Sequence, residues 1–427
     1  MTGAQTTGDR QHLVAVLSLF LLTPAVALVL PSVAAVAAEH QVSATTATWI
    51  ATAPSVAMVP AALATGVLAG ARLRYRPLVL GATALFVLAG VLPALVPLGF
   101  SALIGVRVLW GAATGVLLTS ANSLVALAGD GPGGRARRFA TANVVFSVGS
   151  VASLLAGGLL ARSSWAAPMW GHLVGIPAPV VIGRWLREPE PPAPGTAHRG
   201  RPGIPGLALV PMIAFALLVM SVYPVSTLMS VVFAQAGLGA PGTVGLVGSL
   251  LTVTGLVVAP AFARLHARLG AQVLTCSAVV CGAGLAMIYL ATPAGAGSLA
   301  LYVVGLLLAG AGLTGSTIGT PVITSELVPP ASTSAAQGMV AAALNIGGIL
   351  STGFAGMVLP RFGTDEVRPL YLVSAVLVVG IAITLGIVGA RTSRTRTRIR
   401  PDEDVPGAHT ATGRRQSELL DAESART

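Results

Sequence analysis

The chain has no lysine, and it has 14 acidic residues and two cysteines in 427 residues. Each shortage argues against something. Without lysine there is no phosphate-binding glycine loop of the kind that ends in that residue, which argues against ATP-driven pumping by this chain. Cys276 and Cys281 lie five apart on one apolar stretch, point to different faces of a helix, and read as packing residues with no metal pattern around them. Acidic residues avoid the middles of the apolar stretches, which weighs against a simple carboxylate proton relay. An enzyme would need His, Asp or Glu clustered near a membrane face, and Glu39, His40 and Glu326 are scattered. A sensor would usually add an ordered soluble domain. The expectation is a protein that is not an enzyme and has no cofactor and no bound metal.

What remains is apolar. Hydrophobic residues make up 54% of the chain and charged ones 9%, so the arginines stand in clusters between long uncharged stretches. Each stretch approaches the ~20 residues a helix needs to cross a ~30 Å hydrocarbon core. Twelve spans follow from the pattern, near 13–36, 46–69, 77–98, 101–127, 139–161, 165–186, 207–233, 242–262, 271–291, 299–323, 335–358 and 369–390. The expected fold is therefore all-α and integral to a membrane, with twelve transmembrane helices in two six-helix bundles, residues 1–186 and 207–390. The intervening REPEPPAPGTAHRGRPGIPG, residues 187–206, reads as a linker, and residues 391–427 as a disordered arginine-rich tail. Arg10, an apolar run and Ala35-Val36-Ala37 imitate a signal peptide, but the run is too long for a typical one and reads as an uncleaved first helix.

All 25 basic residues are arginine. With the N-terminus inside, 21 of them fall on the cytoplasmic side, 3 (Arg162, Arg361 and Arg368) fall outside, and 1, Arg107, lies within a span. The positive-inside rule favours this orientation, with both termini cytoplasmic in the plasma membrane. The net charge of +11 is then a topology signal and not a nucleic-acid footprint. The basic tail suits anionic membrane lipid.

The halves look related. Gly111 in the fourth span has a counterpart in Gly310 of the tenth, and Gly149 and Gly157 of the fifth match Gly348 and Gly356 of the eleventh, each pair 199 apart. A duplicated six-helix unit leaves such offsets, and internal repeats with a site at their interface are a recurring transporter design.

Three motifs carry a resemblance. IGVRVLWGAATG, from Ile104 to Gly115, sets Arg107 and Gly111 four apart. GVLAGARLRYRP, from Gly66 to Pro77, is a glycine-led loop with Arg72, Arg74 and Arg76, and APAFARLHARLGAQ, from Ala259 to Gln272, repeats it with Arg264 and Arg268. GSVASLLAGG in the fifth span ends in Gly157-Gly158. Together these resemble the major facilitator superfamily, and within it the drug–proton antiporters. The chain departs from that pattern at Trp110, where glutamine is usual, at Gly70, where the loop has an aspartate, and at Ser153-Leu154, where the antiporters have Gly-Pro. The resemblance implies a cavity lined by helices one, four, seven and ten, with two, five, eight and eleven at the interface between halves. It implies a monomer that binds small molecules and exchanges protons.

Candidate residues follow from burial of polar groups in apolar spans. Arg107 at the bilayer centre should face a bundle interior or wet cavity, with Trp110 and Thr114 on its stripe. It could gate protons, attract an anionic substrate group, or clamp backbone carbonyls. Glu39 and His40 stand at the outer end of the first span and could titrate if covered. His172 reads as a packing histidine of the sixth span. Tyr223, Ser226, Thr227 and Ser230 form a stripe on the seventh span, beside Pro224. Asn122, Asn143, Thr314, Thr317 and Asn345 add amides and hydroxyls on the fourth, fifth, tenth and eleventh. Gly149, Gly157, Gly348 and Gly356 read as close-approach positions. The expected function is multidrug-type efflux of lipophilic or amphipathic compounds by proton antiport. The alternative is an importer or facilitator of a small organic anion held by Arg107.

Overall fold

The structure, a computed structural model, describes residues 2–42, 44–47, 49–69, 72–128, 131–189, 204–229, 233, 241–291, 296–362 and 367–398. Twelve principal helices run through them. The first six are α1 Thr2–Leu22, α2 Trp49–Leu68, α3 Tyr75–Leu95, α4 Phe100–Leu127, α5 Gly131–Leu160 and α6 Ala178–Trp185. The second six are α7 Gly206–Thr227, α8 Pro241–Leu269, α9 Gln272–Ala291, α10 Ala296–Leu327, α11 Thr333–Phe362 and α12 Arg368–Arg398. Among the described residues 11 helices are long and apolar enough to cross a membrane, and no strand is formed. The protein is an all-α, multi-pass membrane protein. Of the linker reading, residues 190–203 lie outside the described residues, as do residues 399–427 of the tail reading.

The sixth span is not a continuous α-helix. A 3₁₀ helix, Ala167–Gly175, precedes α6. Pro168 and Pro177 each remove a backbone donor, and the eclipsed 3₁₀ form is the local solution. Small residues seat the segment: Gly171 rests on the Leu28 side chain and Gly175 on Val87. The same chemistry extends α1. After Leu22 the chain makes 3₁₀ turns at Thr23–Leu28 and Leu30–Ser32, around Pro24 and Pro31, before a short helix Val33–Glu39.

The helices alternate in direction. The ends where α1, α3, α5, α7, α9 and α11 begin form one face, which carries Arg72, Arg74, Arg76, Arg264 and Arg268, all exposed. Packing between the halves is concentrated near that arginine-rich face. The main hydrophobic core joins α1–α6 to Ala259, Phe262, Val273, Leu274, Ile318, Val322, Ile323 and Ala341 of the second half. All eight lie in the halves of α8, α9, α10 and α11 nearer that face. Farther from it, the second half packs in a cluster of its own, around Leu218, Leu285, Tyr302 and Tyr371. The halves are therefore sealed to each other at one end.

The residues that follow α6 are tied down. Arg187 pairs with Asp9 at 3.1 Å and donates its backbone N–H to His12 Nδ1 at 3.1 Å. Glu188 does more: its two carboxylate oxygens accept the N–H groups of Tyr75 and Arg76, at 2.9 and 2.8 Å. Those are orphan donors of the first turn of α3, whose N-cap, Arg74, makes no side-chain cap. A carboxylate there also meets the positive end of the helix dipole. Glu188→Ala should lower stability by about 1 kcal/mol, read as an earlier thermal unfolding in detergent, with Glu188→Gln retaining part of it. Unfolding of the alanine variant indistinguishable from wild type would remove this role.

Candidate functional site

Polar groups inside a bilayer must find partners in the protein, and prolines decide where some of the acceptors are. Pro54 of α2 has no N–H, so the carbonyl of Ile50, four residues back, lacks its helical donor. Arg107 Nε–H of α4 donates to that carbonyl at 3.0 Å. The helices meet closely because Gly111 lies against the Pro54 backbone and Gly115 against Met58. The same crossing recurs in the second half, where Gly310 of α10 lies against the Leu251 carbonyl of α8.

Arg107 and Trp110 are each 0% exposed. The guanidinium sits 4.4 Å above the Trp110 ring. Trp110 in turn contacts Phe86 and meets the edge of His172, with ring centroids 5.5 and 5.4 Å apart. His172 shares its Nδ1 proton with the Met169 carbonyl at 2.9 Å, and Gly90 makes room for its ring. Thr114 is buried and bonds back to Trp110 O at 3.0 Å. This cluster lies inside the first half, among α2, α3, α4 and the 3₁₀ segment.

A separate pocket lies between the halves. Phe20 of α1, Leu118 and Asn122 of α4, and Phe139, Asn143 and Phe146 of α5 form one wall. Phe215 of α7, Thr317 and Pro321 of α10, and Val340, Ala341 and Leu344 of α11 form the other. Its water-accessible volume is about 50 Å³, space for a few waters. Of the sequence candidates, Asn122, Asn143 and Thr317 line it, and Arg107, Trp110 and Thr114 do not.

The remaining candidates distribute around these two places. Thr314 and Asn345 are buried, and Asn345 Nδ2 donates to Ala341 O at 2.8 Å. On α7 the Tyr223 ring packs against Gly348, while the Ser226 and Thr227 hydroxyls bond back to Tyr223 O. Ser230 lies outside the described residues, as does Gly70. Gly149 meets Leu21 O and the Pro24 ring, and Gly157 meets Leu28 O, so α5 crosses α1 tightly. Gly158 and Gly356 meet nothing within 4 Å among the described residues. Glu39 is exposed, and the His40 ring is held between Phe100 and Trp165.

Below the pocket is the seal at the arginine-rich face. Gly66 of α2 lies against Ser334 O and the Gly338 Cα of α11, and Tyr75 Oη bonds Ser334 Oγ at 2.7 Å. Arg135 of α5 reaches the Ser325 carbonyl of α10 at 3.4 Å. Ser325 Oγ accepts from Gln337 Nε2 at 2.8 Å, and Gln337 also donates to Pro321 O at 3.1 Å. Beside Ser325, Glu326 Oε1 stands 3.0 Å from His266 Nε2 of α8, with the two side chains 16% and 8% exposed. The Phe262 ring stacks on His266.

Sequence reasoning did not identify this His–Glu pair, nor the phenylalanines of the pocket. Phe139, Asn143 and Phe146 do form a stripe at i, i+4 and i+7 that was legible. The pairing of His266 with Glu326 depends on α8 meeting α10 and has no local signal.

A model of the Major Facilitator Superfamily matches residues 15–272 and 211–420. Among solved structures, the chain is similar to the human organic anion transporter MFSD10 (TETRAN), with a TM-score of 0.70 at 18% identity, over 88% of this chain and 99% of that one. It is similar to a bacterial homologue of the iron transporter ferroportin in an outward-facing state, with a TM-score of 0.65 at 17% identity, over 90% and 99%. It is also similar to the transporter FucP in the outward conformation, with a TM-score of 0.67 at 16% identity, over 88% and 98%. No curated protein matches significantly.

A side chain at Gly338 would meet the Ala62 carbonyl and Gly66, so Gly338→Val should overpack the seal by about 1–3 kcal/mol. The expected result is a folded protein in which labelling of a cysteine placed at Asn143 from the arginine-rich face rises. Unchanged labelling would mean that this crossing does not hold the seal.

Proposed function

We propose, on the premise that the chain belongs to the major facilitator superfamily, that it exports small lipophilic or amphipathic organic compounds from the cell in exchange for protons. The chain is a transporter and not an enzyme. Export, proton antiport and substrate class are our reading. The observation that carries it is the lining of the pocket between the halves: four phenylalanines and several aliphatic side chains, with Asn122, Asn143 and Thr317 as the polar groups. Such a surface favours apolar and aromatic compounds, oriented by a few hydrogen bonds, over sugars or divalent cations. The sealed arginine-rich face is the cytoplasmic one by the positive-inside rule, so the conformation faces outward. Rocking of the halves would break the seal and widen the small pocket toward the cytoplasm.

The pair His266–Glu326 is our candidate for the proton site. It is nearly enclosed and lies next to the residue whose carbonyl receives Arg135 from the other half. A proton gained or lost by this pair changes the contact between α8 and α10 beside that bond, which would link proton occupancy to opening. Arg135 on α5 and Gln337 on α11 both bond Ser325, the residue beside Glu326. Glu39 and His40 at the opposite face are candidates for exchange with the outside. The alternative, an organic-anion importer with Arg107 as the binding group, would require Arg107 to reach the pocket. The crossings at Gly111 and Gly90 enclose it instead.

Proteoliposomes holding a pH-sensitive dye, with an imposed proton gradient and a panel of lipophilic and anionic compounds, test the proposal. Lipophilic compounds should release protons through wild type. Glu326→Gln should lose most of that proton movement while retaining counterflow exchange of substrate. Phe146→Ala should raise the substrate concentration for half-maximal flux several-fold. Proton-free flux through wild type, or release driven only by organic anions, would overturn the reading.

A further inference from the structure

The Arg107 cluster poses a problem that the transport reading does not answer. A guanidinium carries five N–H donors and stays charged at neutral pH. Here one of them, on Nε, has an acceptor, the Ile50 carbonyl. Nη1 and Nη2 are buried and have no hydrogen-bond partner, and the same holds for Trp110 Nε1. Arg107 and Trp110 are 0% exposed, and the guanidinium lies 4.4 Å from the centre of the Trp110 ring, so the orphan donors sit on two side chains in direct contact. Among the described residues no carboxylate is within ion-pair distance of Arg107.

Two deficits coincide there. The unmade hydrogen bonds are one, and a bound water could supply them. The uncompensated charge is the other. A positive group in a low-dielectric interior costs several kcal/mol unless an opposite charge lies beside it. The Trp110 face offsets part of this, since a cation over an aromatic face is attracted by the ring quadrupole. A neutral water supplies no charge. A small anion supplies the charge and accepts the free N–H groups at once.

We propose that the first half holds a resident monovalent inorganic anion of halide size, bound by Arg107 Nη1 and Nη2 and by Trp110 Nε1–H. The size limit follows from the walls. Gly111 is pressed on the Pro54 backbone, Gly90 on the His172 ring, and Phe86 closes another side of Trp110. With its surroundings packed this closely, a small ion suits the place better than an organic carboxylate. The anion is a structural counter-ion of the α2–α4 crossing and is not cargo. It is separate from the pocket at Phe146 and Asn143, so its existence does not depend on what the protein exports.

The test is thermal unfolding of the purified full-length protein at fixed pH and ionic strength, in gluconate against chloride, bromide and nitrate. The unfolding temperature should rise with halide and saturate, and should not respond to gluconate. Arg107→Gln should abolish the response. Trp110→Phe, which keeps the ring and removes the N–H, should retain the fold and shift the half-saturating halide concentration upward several-fold. Should Arg107→Gln fail to fold, Trp110→Phe still decides the point. Crystals grown in bromide should show an anomalous peak beside the Arg107 guanidinium. Identical unfolding in chloride and gluconate, an equal halide response in Trp110→Phe, or a bromide-grown crystal with water only at Arg107 would each overturn the proposal.

Discussion

A helix in hydrocarbon must satisfy its own backbone, because no water is there to do so. Every proline in a helix interior breaks that rule at the carbonyl four residues back. At Pro54 the freed acceptor is Ile50 O, and it is answered by Arg107 from the neighbouring helix. At Pro321 of α10 the proline's own carbonyl takes bonds from Ser325 Oγ and Gln337 Nε2. The α2–α4 crossing and the α10–α11 contact thus each set a polar side chain of one helix against a main-chain carbonyl of its neighbour.

The glycines make those arrangements possible by bringing backbones together. Gly111 and Gly310 perform one function in the two halves, letting α4 and α10 touch α2 and α8. Gly66 and Gly338 do so across the halves. Close crossings of this kind gain dispersion and exclude lipid, but they are rigid. The crossings within each half therefore suit the halves to moving as units, with change concentrated where the Gly66–Gly338 seam and polar side chains join one half to the other. At the arginine-rich face those are Arg135 with Ser325, and Tyr75 with Ser334.

The fold was largely legible in the sequence because bilayer thickness imposes a length on each apolar run. Where the helix is interrupted by Pro168 and Pro177 that signal gave a span, and the structure has a 3₁₀ segment and a short helix. The paired glycines were legible as a repeat, though Gly356 lacks the close contact that Gly157 makes. Site residues were less legible. A stripe on one helix shows that residues share a face and leaves open whether a neighbour or a cavity lies opposite. That is why Asn143 proved to line the pocket while Arg107 and Trp110, on an equally clear stripe, are enclosed. Contacts between distant segments left no local trace at all. Glu188 meets Tyr75 across the first half, and His266 meets Glu326 across the second. The chain lacks an aspartate in the loop before α3, and Glu188 brings a carboxylate to the start of that helix from the other end of the bundle.

Alternating access through the seal at the arginine-rich face is the claim on which the functional account stands. Spin labels at Arg137→Cys on α5 and Ala331→Cys before α11, both exposed positions, would report it in a background without Cys276 and Cys281. Double electron–electron resonance in lipid should give two distances, the shorter for the sealed state. Their ratio should shift with pH and with added substrate. A single distance, unchanged across pH and across the substrate panel, would contradict the account.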